Sequence, residues 1–296
     1  MKFKSGFVTI VGRPNVGKST LMNQIIGEKI AIMSDKPQTT RNKIQTIFTR
    51  EDYQIVFLDT PGIHKPKNKL GEFMVKSAQQ TLNEVDVILF VVDDTADMGP
   101  GERYIIEMLQ TVKTPIFLLI NKIDKIPPDD FEKLYHLYRE VGIFEDIIGI
   151  SALQNKNLSK LLDKIVALLP EGPQYFPSDM ITDQPEKVIV SEIIREKLLH
   201  YLEEEVPHGV AVEVESMKKR GNQEIVDIHA TIYCERKSHK GIIIGKNGRK
   251  LKGIGKSARE DMERLLGSKI YLELWVKVKE NWRDSSNVLY DLGYKS

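Results

Sequence analysis

From Gly6 to about Pro170 the chain alternates short apolar runs with segments whose apolar residues recur every three to four positions. The runs at 7–11, 54–58, 87–92, 115–120 and 147–150 have strand length and are bounded by turn residues. Helical patterns follow Gly17 and cover residues 102–109, 130–141 and 158–169. Strands alternating with helices predict a mostly parallel sheet with helices on both faces, an α/β domain over residues 1–170. Pro170, Pro173, Pro177 and Pro185 then break the pattern, and residues 171–186 read as a linker. Beyond it the order changes. A helical pattern (Val190, Ile194, Leu198, Leu202) precedes alternating strands at 210–214 and 226–232, two helices flanking a glycine turn, and a last strand at 270–278. Such alternation buries one sheet face and exposes the other, so an α+β domain is expected over 187–280, with 281–296 as a tail.

A length of 296 residues suits two domains, and 41% hydrophobic with 29% charged residues suits a soluble globular chain. The apolar runs are too short to span a bilayer, and Met1-Lys2-Phe3-Lys4 lacks the apolar stretch of a signal peptide. One cysteine, Cys234, cannot form an internal disulfide, which points to a reducing, cytoplasmic setting, with Cys234 read as a small core or surface residue rather than a catalytic one. The net charge of +1 conceals a local bias: between Lys218 and Arg259 there are twelve Lys or Arg against three acids. That surplus, centred on a glycine turn, points to a polyanionic partner.

Gly12-Arg13-Pro14-Asn15-Val16-Gly17-Lys18-Ser19, continuing into Thr20, fits the phosphate-binding pattern GxxxxGK[ST] between a strand and a helix. Its glycines let backbone N–H groups turn toward phosphate oxygens, Lys18 reaches the β- and γ-phosphates, and Ser19 ligates Mg²⁺. Asp59-Thr60-Pro61-Gly62 follows the strand at 54–58; Asp59 serves the Mg²⁺ shell and Gly62 offers a backbone N–H to the γ-phosphate. Asn121-Lys122-Ile123-Asp124 follows the strand at 115–120. The Asp124 carboxylate accepts both the N1–H and the exocyclic amine of guanine, a donor pair that adenine lacks, and Lys122 lies along the base. Ser151-Ala152, after the strand ending at Ile150, suits a backbone contact to guanine O6.

These motifs, in this order, resemble the nucleotide-binding boxes of translation-factor-type GTPases. The resemblance implies a further box at Gln38-Thr39-Thr40-Arg41, with Thr40 contacting Mg²⁺ and the γ-phosphate in a first switch loop, and a second switch from Gly62 to about Leu70. Ras-like enzymes place a water-orienting glutamine where this chain has Ile63, so slow intrinsic hydrolysis or a different helper is expected. His64 reads as an exposed switch residue rather than a general base. Asn15 resembles the asparagine that holds a potassium ion in the TrmE, Era and EngA group, the alternative being that it only shapes the loop.

In the second domain Gly245-Lys246-Asn247-Gly248 follows Ile244 and precedes a helix, with Lys240, Arg249, Lys250 and Lys252 around it. A GxxG turn without bulky side chains lets amides and lysines clamp four nucleotides of sugar-phosphate, the KH mode. The order α-β-β-α-α-β resembles a type II KH domain. Trp275 and Trp282 are candidates for base stacking, with packing roles as the alternative. A GTPase domain joined to this module, with Ser191-Glu192-Ile193-Ile194-Arg195-Glu196-Lys197 and residues 272–279, resembles the bacterial Era family over essentially the whole chain. The resemblance implies GTP and GDP as ligands, the 3′ region of small-subunit (16S) ribosomal RNA and the 30S subunit as partners, a role in 30S assembly, a monomer, and peripheral membrane association. A lipid-directed signalling GTPase and a module for single-stranded DNA are the alternative readings; against the first, the basic residues cluster around the GxxG turn rather than on an amphipathic helix.

Overall fold

The computed structural model describes residues 2–28, 32, 36, 41, 44–59, 66, 68–95, 97–221 and 224–294. They divide into two compact units, the first running to Asp183 except for Asn68–Leu70, which group with the second, and the second otherwise starting at Gln184.

The first unit is built on a six-stranded sheet among the described residues: β1 (Lys4–Val11), β2 (Ile44–Thr49), β3 (Tyr53–Asp59), β4 (Val87–Val92), β5 (Ile116–Ile120) and β6 (Asp146–Gly149). Its order is β2-β3-β1-β4-β5-β6, and only β2 runs antiparallel. The β4 run is buried at every position, as a central strand covered on both faces requires. Helices α1 (Lys18–Ile26) and α5 (Leu158–Leu168) bury Leu21, Met22, Leu161 and Ile165 against one face. Helices α2 (Lys69–Leu82), α3 (Pro100–Leu109) and α4 (Pro128–Arg139) bury Ala78, Leu82, Ile105, Leu109, Leu134 and Tyr138 against the other. Because β1, β3, β4, β5 and β6 are parallel, their carboxyl ends share one sheet edge. The chain leaves β1 to β3 on one side and returns to β4 on the other, so the turn after β1 lies where a crevice opens.

Two elements escaped the sequence reading. Strand β2 mixes polar and apolar residues because it is an edge strand, and α2 carries Leu70, Met74, Ala78 and Leu82 at a spacing of four, buried on one face. The proline-rich stretch also differs from a free linker as far as Asp183. Gly172 N–H donates to Phe3 O at 3.1 Å, and Ile47 N–H donates to Ile181 O at 2.9 Å. The Thr182 hydroxyl reaches Gln45 O at 2.6 Å. The fully buried Gln54 side chain takes Phe176 N–H at 3.0 Å and donates to Phe176 O at 2.9 Å, replacing a strand partner. Proline removes N–H donors but leaves the intervening residues able to pair, which is why the segment follows the sheet edge.

The second unit comprises α6 (Glu186–Tyr201), β7 (Ala211–Lys219), β8 (Ile225–Cys234), α7 (Lys237–Ile244), α8 (Arg249–Leu266) and β9 (Lys269–Val278). Among the described residues its sheet has the order β7-β8-β9, with β7 antiparallel and β9 parallel to β8. Val190, Ile194 and Leu198 of α6 and Ile254, Ala258 and Met262 of α8 close the core over Ile228, Ala230 and Ile232. Residues 281–294 are no free tail: Trp282 is fully buried, donates Nε1–H to Gly209 O at 2.9 Å and stacks on Tyr294. Of the two places open to Cys234, core or surface, it takes the core, and burial pushes its thiol pKa upward.

Replacing Gln54 with leucine keeps the bulk but leaves the Phe176 amide and carbonyl without their partners, at a cost of about 1–3 kcal/mol. The expected result is a lower urea midpoint together with faster chymotryptic cleavage after Tyr175, since Pro177 blocks cleavage after Phe176. A midpoint equal to that of the parent chain contradicts the pinning of this segment.

Candidate nucleotide and nucleic-acid sites

Gly12 through Thr20 occupy the turn from β1 into α1. Gly12 (φ 155), Asn15 (φ 70) and Gly17 (φ 98) all hold positive φ, which lines backbone amides along the inside of the turn. A side chain at Gly12 would strike Val91 O, and one at Gly17 would overlap the Asn121 amide. Gly17 caps α1 without a side-chain bond, so the positive end of the helix faces the turn. Ser19 and Thr20 sit half-buried in the first helical turn. Pro14 and the buried Val16 shape the bend, and Val16 O is fixed by Asn121.

Lys18 is 7% exposed and donates to Gly12 O at 3.0 Å and Arg13 O at 2.7 Å. Burial lowers its pKa to about 8, against the opposing charge of Asp59. Asp59 is fully buried at the end of β3, paired in register with Ile10 of β1 and Ile44 of β2. A buried carboxylate beside a buried ammonium, at a helix start lined by amides, matches the donor set of a phosphate with its Mg²⁺. Thr40, Thr60, Pro61, Gly62, Ile63 and His64, like Gln38 and Thr39, lie outside the described residues.

Asn121 does more than the sequence indicated. Its Nδ2 donates to Val16 O at 2.8 Å and its Oδ1 accepts Ala152 N–H at 3.0 Å, so one side chain ties three loops together. The Ala152 amide is thereby engaged by Asn121, and Leu153 beyond it is 74% exposed. Asp124 is exposed, and a hydrogen bond from Ser151 holds its carboxyl below the ordinary range. Lys122, at φ 63, donates to Asp93 Oδ2 at 3.1 Å. The Arg13 guanidinium turns away from the phosphate turn, toward Asp93, Thr95 and Glu102.

In the second unit Gly245 (φ 70), Asn247 (φ 53) and Gly248 (φ 72) form the turn between α7 and α8. At Gly245 a Cβ would stand 2.8 Å from Lys250 Cβ, whereas at Gly248 it would meet nothing within 4 Å. Next to the turn a groove of about 790 Å³ runs between α8 and β9. Of the residues expected to hold nucleic acid, Gly248, Arg249 and Lys252 line it; Lys240 and Ile244 sit on α7, and Gly245, Lys246 and Asn247 in the turn, none of them part of that lining. Lys256, Arg259, Tyr271, Leu272 and Leu274 also line the groove; the two cations entered the sequence reading only through the basic surplus and the two leucines only as strand positions, none of the five as a nucleic-acid contact. Arg249, Lys252, Lys256 and Arg259 recur at intervals of three or four, a helical stripe that could have been found by periodicity. Trp275 stands 56% exposed on β9, while Trp282 is in the core.

In ¹³C-lysine NMR one resonance is expected to titrate near pH 8 instead of 10.5. Asp59→Asn should move it lower, because the carboxylate charge supports the ammonium. A Lys18 titration at its ordinary value would show that burial does not govern this group.

Residues 7–122 match the family described as 50S ribosome-binding GTPase and residues 205–283 the KH domain family. The chain is 68% identical to the GTPase Era of Alkaliphilus metalliredigens (strain QYMF), covering 100% of both chains, and 66% identical to that of Clostridioides difficile (strain 630), covering 99% of both. Among solved structures it is similar to a point variant of Aquifex aeolicus Era bound to GDP·AlF4⁻ (TM-score 0.95, 42% identity, 99% of this chain and 100% of that one). It is equally similar to Era in complex with MgGDPNP and nucleotides 1506-1542 of 16S ribosomal RNA (TM-score 0.96, 42% identity, 99% and 100%). Two matched domains in this order, with relatives aligned from end to end, show that the chain belongs to the GTPase Era family.

Proposed function

We propose that this chain is a GTP-hydrolysing switch that binds 16S ribosomal RNA near its 3′ end and assists assembly of the 30S subunit. The observation that carries it is the convergence of Lys18, Asp59 and Asp124 on one sheet edge of the first unit, with a GxxG turn and a cationic groove in the second. The bound GDP·AlF4⁻ and the MgGDPNP with 16S RNA in the two Era structures support the same reading.

In this reading the amides of the Gly12–Gly17 turn and Lys18 hold the β- and γ-phosphates, and Gly62 with Thr40 completes the γ-phosphate cage. Ser19, Asp59 and Thr40 hold Mg²⁺, which neutralises charge between the β- and γ-phosphate oxygens. Asp124, kept ionised by Ser151, accepts the two guanine donors. The contact to O6 falls to the backbone at Ser151-Ala152, which Asn121 holds in place through the Ala152 amide. Ile63 orients no water, so hydrolysis is slow unaided; a potassium ion at Asn15 is the expected helper, and rates in potassium against sodium measure it. A monomer in the cytoplasm, with peripheral membrane contact, completes the reading; no described helix is long and apolar enough to cross a membrane.

In the second unit Gly248, Arg249 and Lys252 meet the sugar-phosphate while bases enter the groove over Leu272 and Leu274. Strand β2 begins just after the Gln38–Arg41 box, its Ile44 lies beside Asp59, and it also carries the paired segment at 181–182. A rearrangement of the box with the γ-phosphate therefore has a direct covalent and hydrogen-bonded route into the chain that leads to the RNA module.

Asp124→Asn should lose GTP affinity by about two orders of magnitude or more and gain affinity for XTP, whose C2 carbonyl accepts the new amide; competition between fluorescent GDP and XDP measures it. Gly248→Asp sets a negative charge against phosphate; the added atom meets open space, the strain of a positive φ is one that aspartate bears better than most residues, and far-UV circular dichroism checks the fold. Binding of a short RNA from the 16S 3′ end should be tight with a non-hydrolysable GTP analogue, weak with GDP, and lost in Gly248→Asp. Binding indifferent to both changes would refute the switch.

A further inference from the structure

The carboxyl end of β4 carries Asp93, which belongs to none of the motifs read from the sequence. Its Oδ2 accepts Lys122 Nζ at 3.1 Å, and its Oδ1 accepts the Thr95 hydroxyl at 3.0 Å and lies 3.5 Å from Arg13 Nη2. Arg13 is itself confined. Its Nη2 donates to Thr95 Oγ1 at 3.2 Å, and its Nε lies against the carboxylate of Glu102, buried in the first turn of α3. Its Cδ fills the space over Gly101, where a Cβ would stand 2.6 Å away. Asp93 is thus a shared carboxylate between a residue of the phosphate turn and the lysine of the guanine motif.

Resting on the reading of this site as a guanine-nucleotide site, we propose that Asp93 is a positioning residue for the nucleotide base, acting through Lys122 and registered to the phosphate turn by Arg13. The lysine stem has four rotatable bonds, and holding it in one conformation against a base sacrifices side-chain entropy. Asp93 fixes the ammonium beforehand, with Asp94 Oδ1 at 3.7 Å as a weaker second anchor. The left-handed backbone of Lys122 sets the direction of the stem, and the amine end is what Asp93 holds. Partial burial pushes the Asp93 carboxyl upward, but the Lys122 hydrogen bond and charge, with Thr95 and Arg13, outweigh it and leave the group below its ordinary range and ionised.

The test is release of fluorescent mant-GDP from the full-length chain by stopped flow, for Asp93→Ala, Lys122→Ala and the double variant, with melting temperatures alongside. Asp93→Ala is expected to speed release about tenfold, and the double variant to release no faster than Lys122→Ala alone. Asp93→Asn, which keeps an acceptor but loses the charge, should fall between, and it serves as the probe if the alanine variant does not fold. Release unchanged by Asp93→Asn or Asp93→Ala overturns the proposal. So do effects that multiply in the double variant, because Asp93 then acts independently of Lys122. A parent chain that retains no guanine nucleotide fails in the first trace, and that outcome strikes the functional reading itself rather than the role of Asp93.

Discussion

The nucleotide site depends on one side chain. Asn121 donates to the carbonyl of Val16 and accepts the amide of Ala152, so the phosphate turn, the guanine motif and the loop after β6 share a single two-headed hydrogen bond donor and acceptor. Each loop leaves a parallel strand at the same edge, but strand pairing fixes only where it starts. What it does afterwards is set by Asn121, buried where neither bond competes with water. Gly17 has to be glycine for the same reason, since the Asn121 amide occupies the space of its absent side chain.

Both units meet polyanions through the same backbone device. Gly12, Asn15 and Gly17 in one, and Gly245, Asn247 and Gly248 in the other, hold positive φ at a turn entering a helix, which exposes amides toward phosphate. In each turn asparagine occupies the non-glycine position, where L-residues tolerate the left-handed region best. The units differ in what surrounds the turn. In the first, Asn121 ties the turn to the guanine motif and to the loop after β6; in the second, the turn opens onto a groove that accepts a longer chain.

Much of this was legible because the relevant residues act through local geometry. A GxxxxGK[ST] turn between a strand and a helix, or a strand that buries every second residue, states its role within ten positions. The misses are of another kind. Strand β2 has an edge pattern weaker than that of a central strand, and the segment after Pro170 is ordered by Gln54, which lies more than a hundred positions away. Asp93, Glu102 and the engaged amide of Ala152 are defined by partners from distant strands, so no local pattern marks them. Trp282 looked like a candidate for stacking until its Nε1–H found Gly209 O in the core.

The placement of charge separates the two sites more sharply than their backbones do. In the first unit three cations of the site each face a carboxylate: Lys18 feels Asp59, Lys122 is paired with Asp93, and Arg13 with Glu102. Internal neutralisation of that sort holds a short, heavily charged ligand in one orientation, because affinity then comes from fixed directions rather than from excess charge. The groove beside Gly248 contains four cations and no acid among its lining residues. That surface attracts phosphate over a distance and releases counterions on binding, which makes its grip on a polynucleotide broad and dependent on salt. A net charge of +1 thus averages a balanced catalytic unit with a strongly basic face, and it is the distribution that assigns the nucleotide to one unit and the nucleic acid to the other.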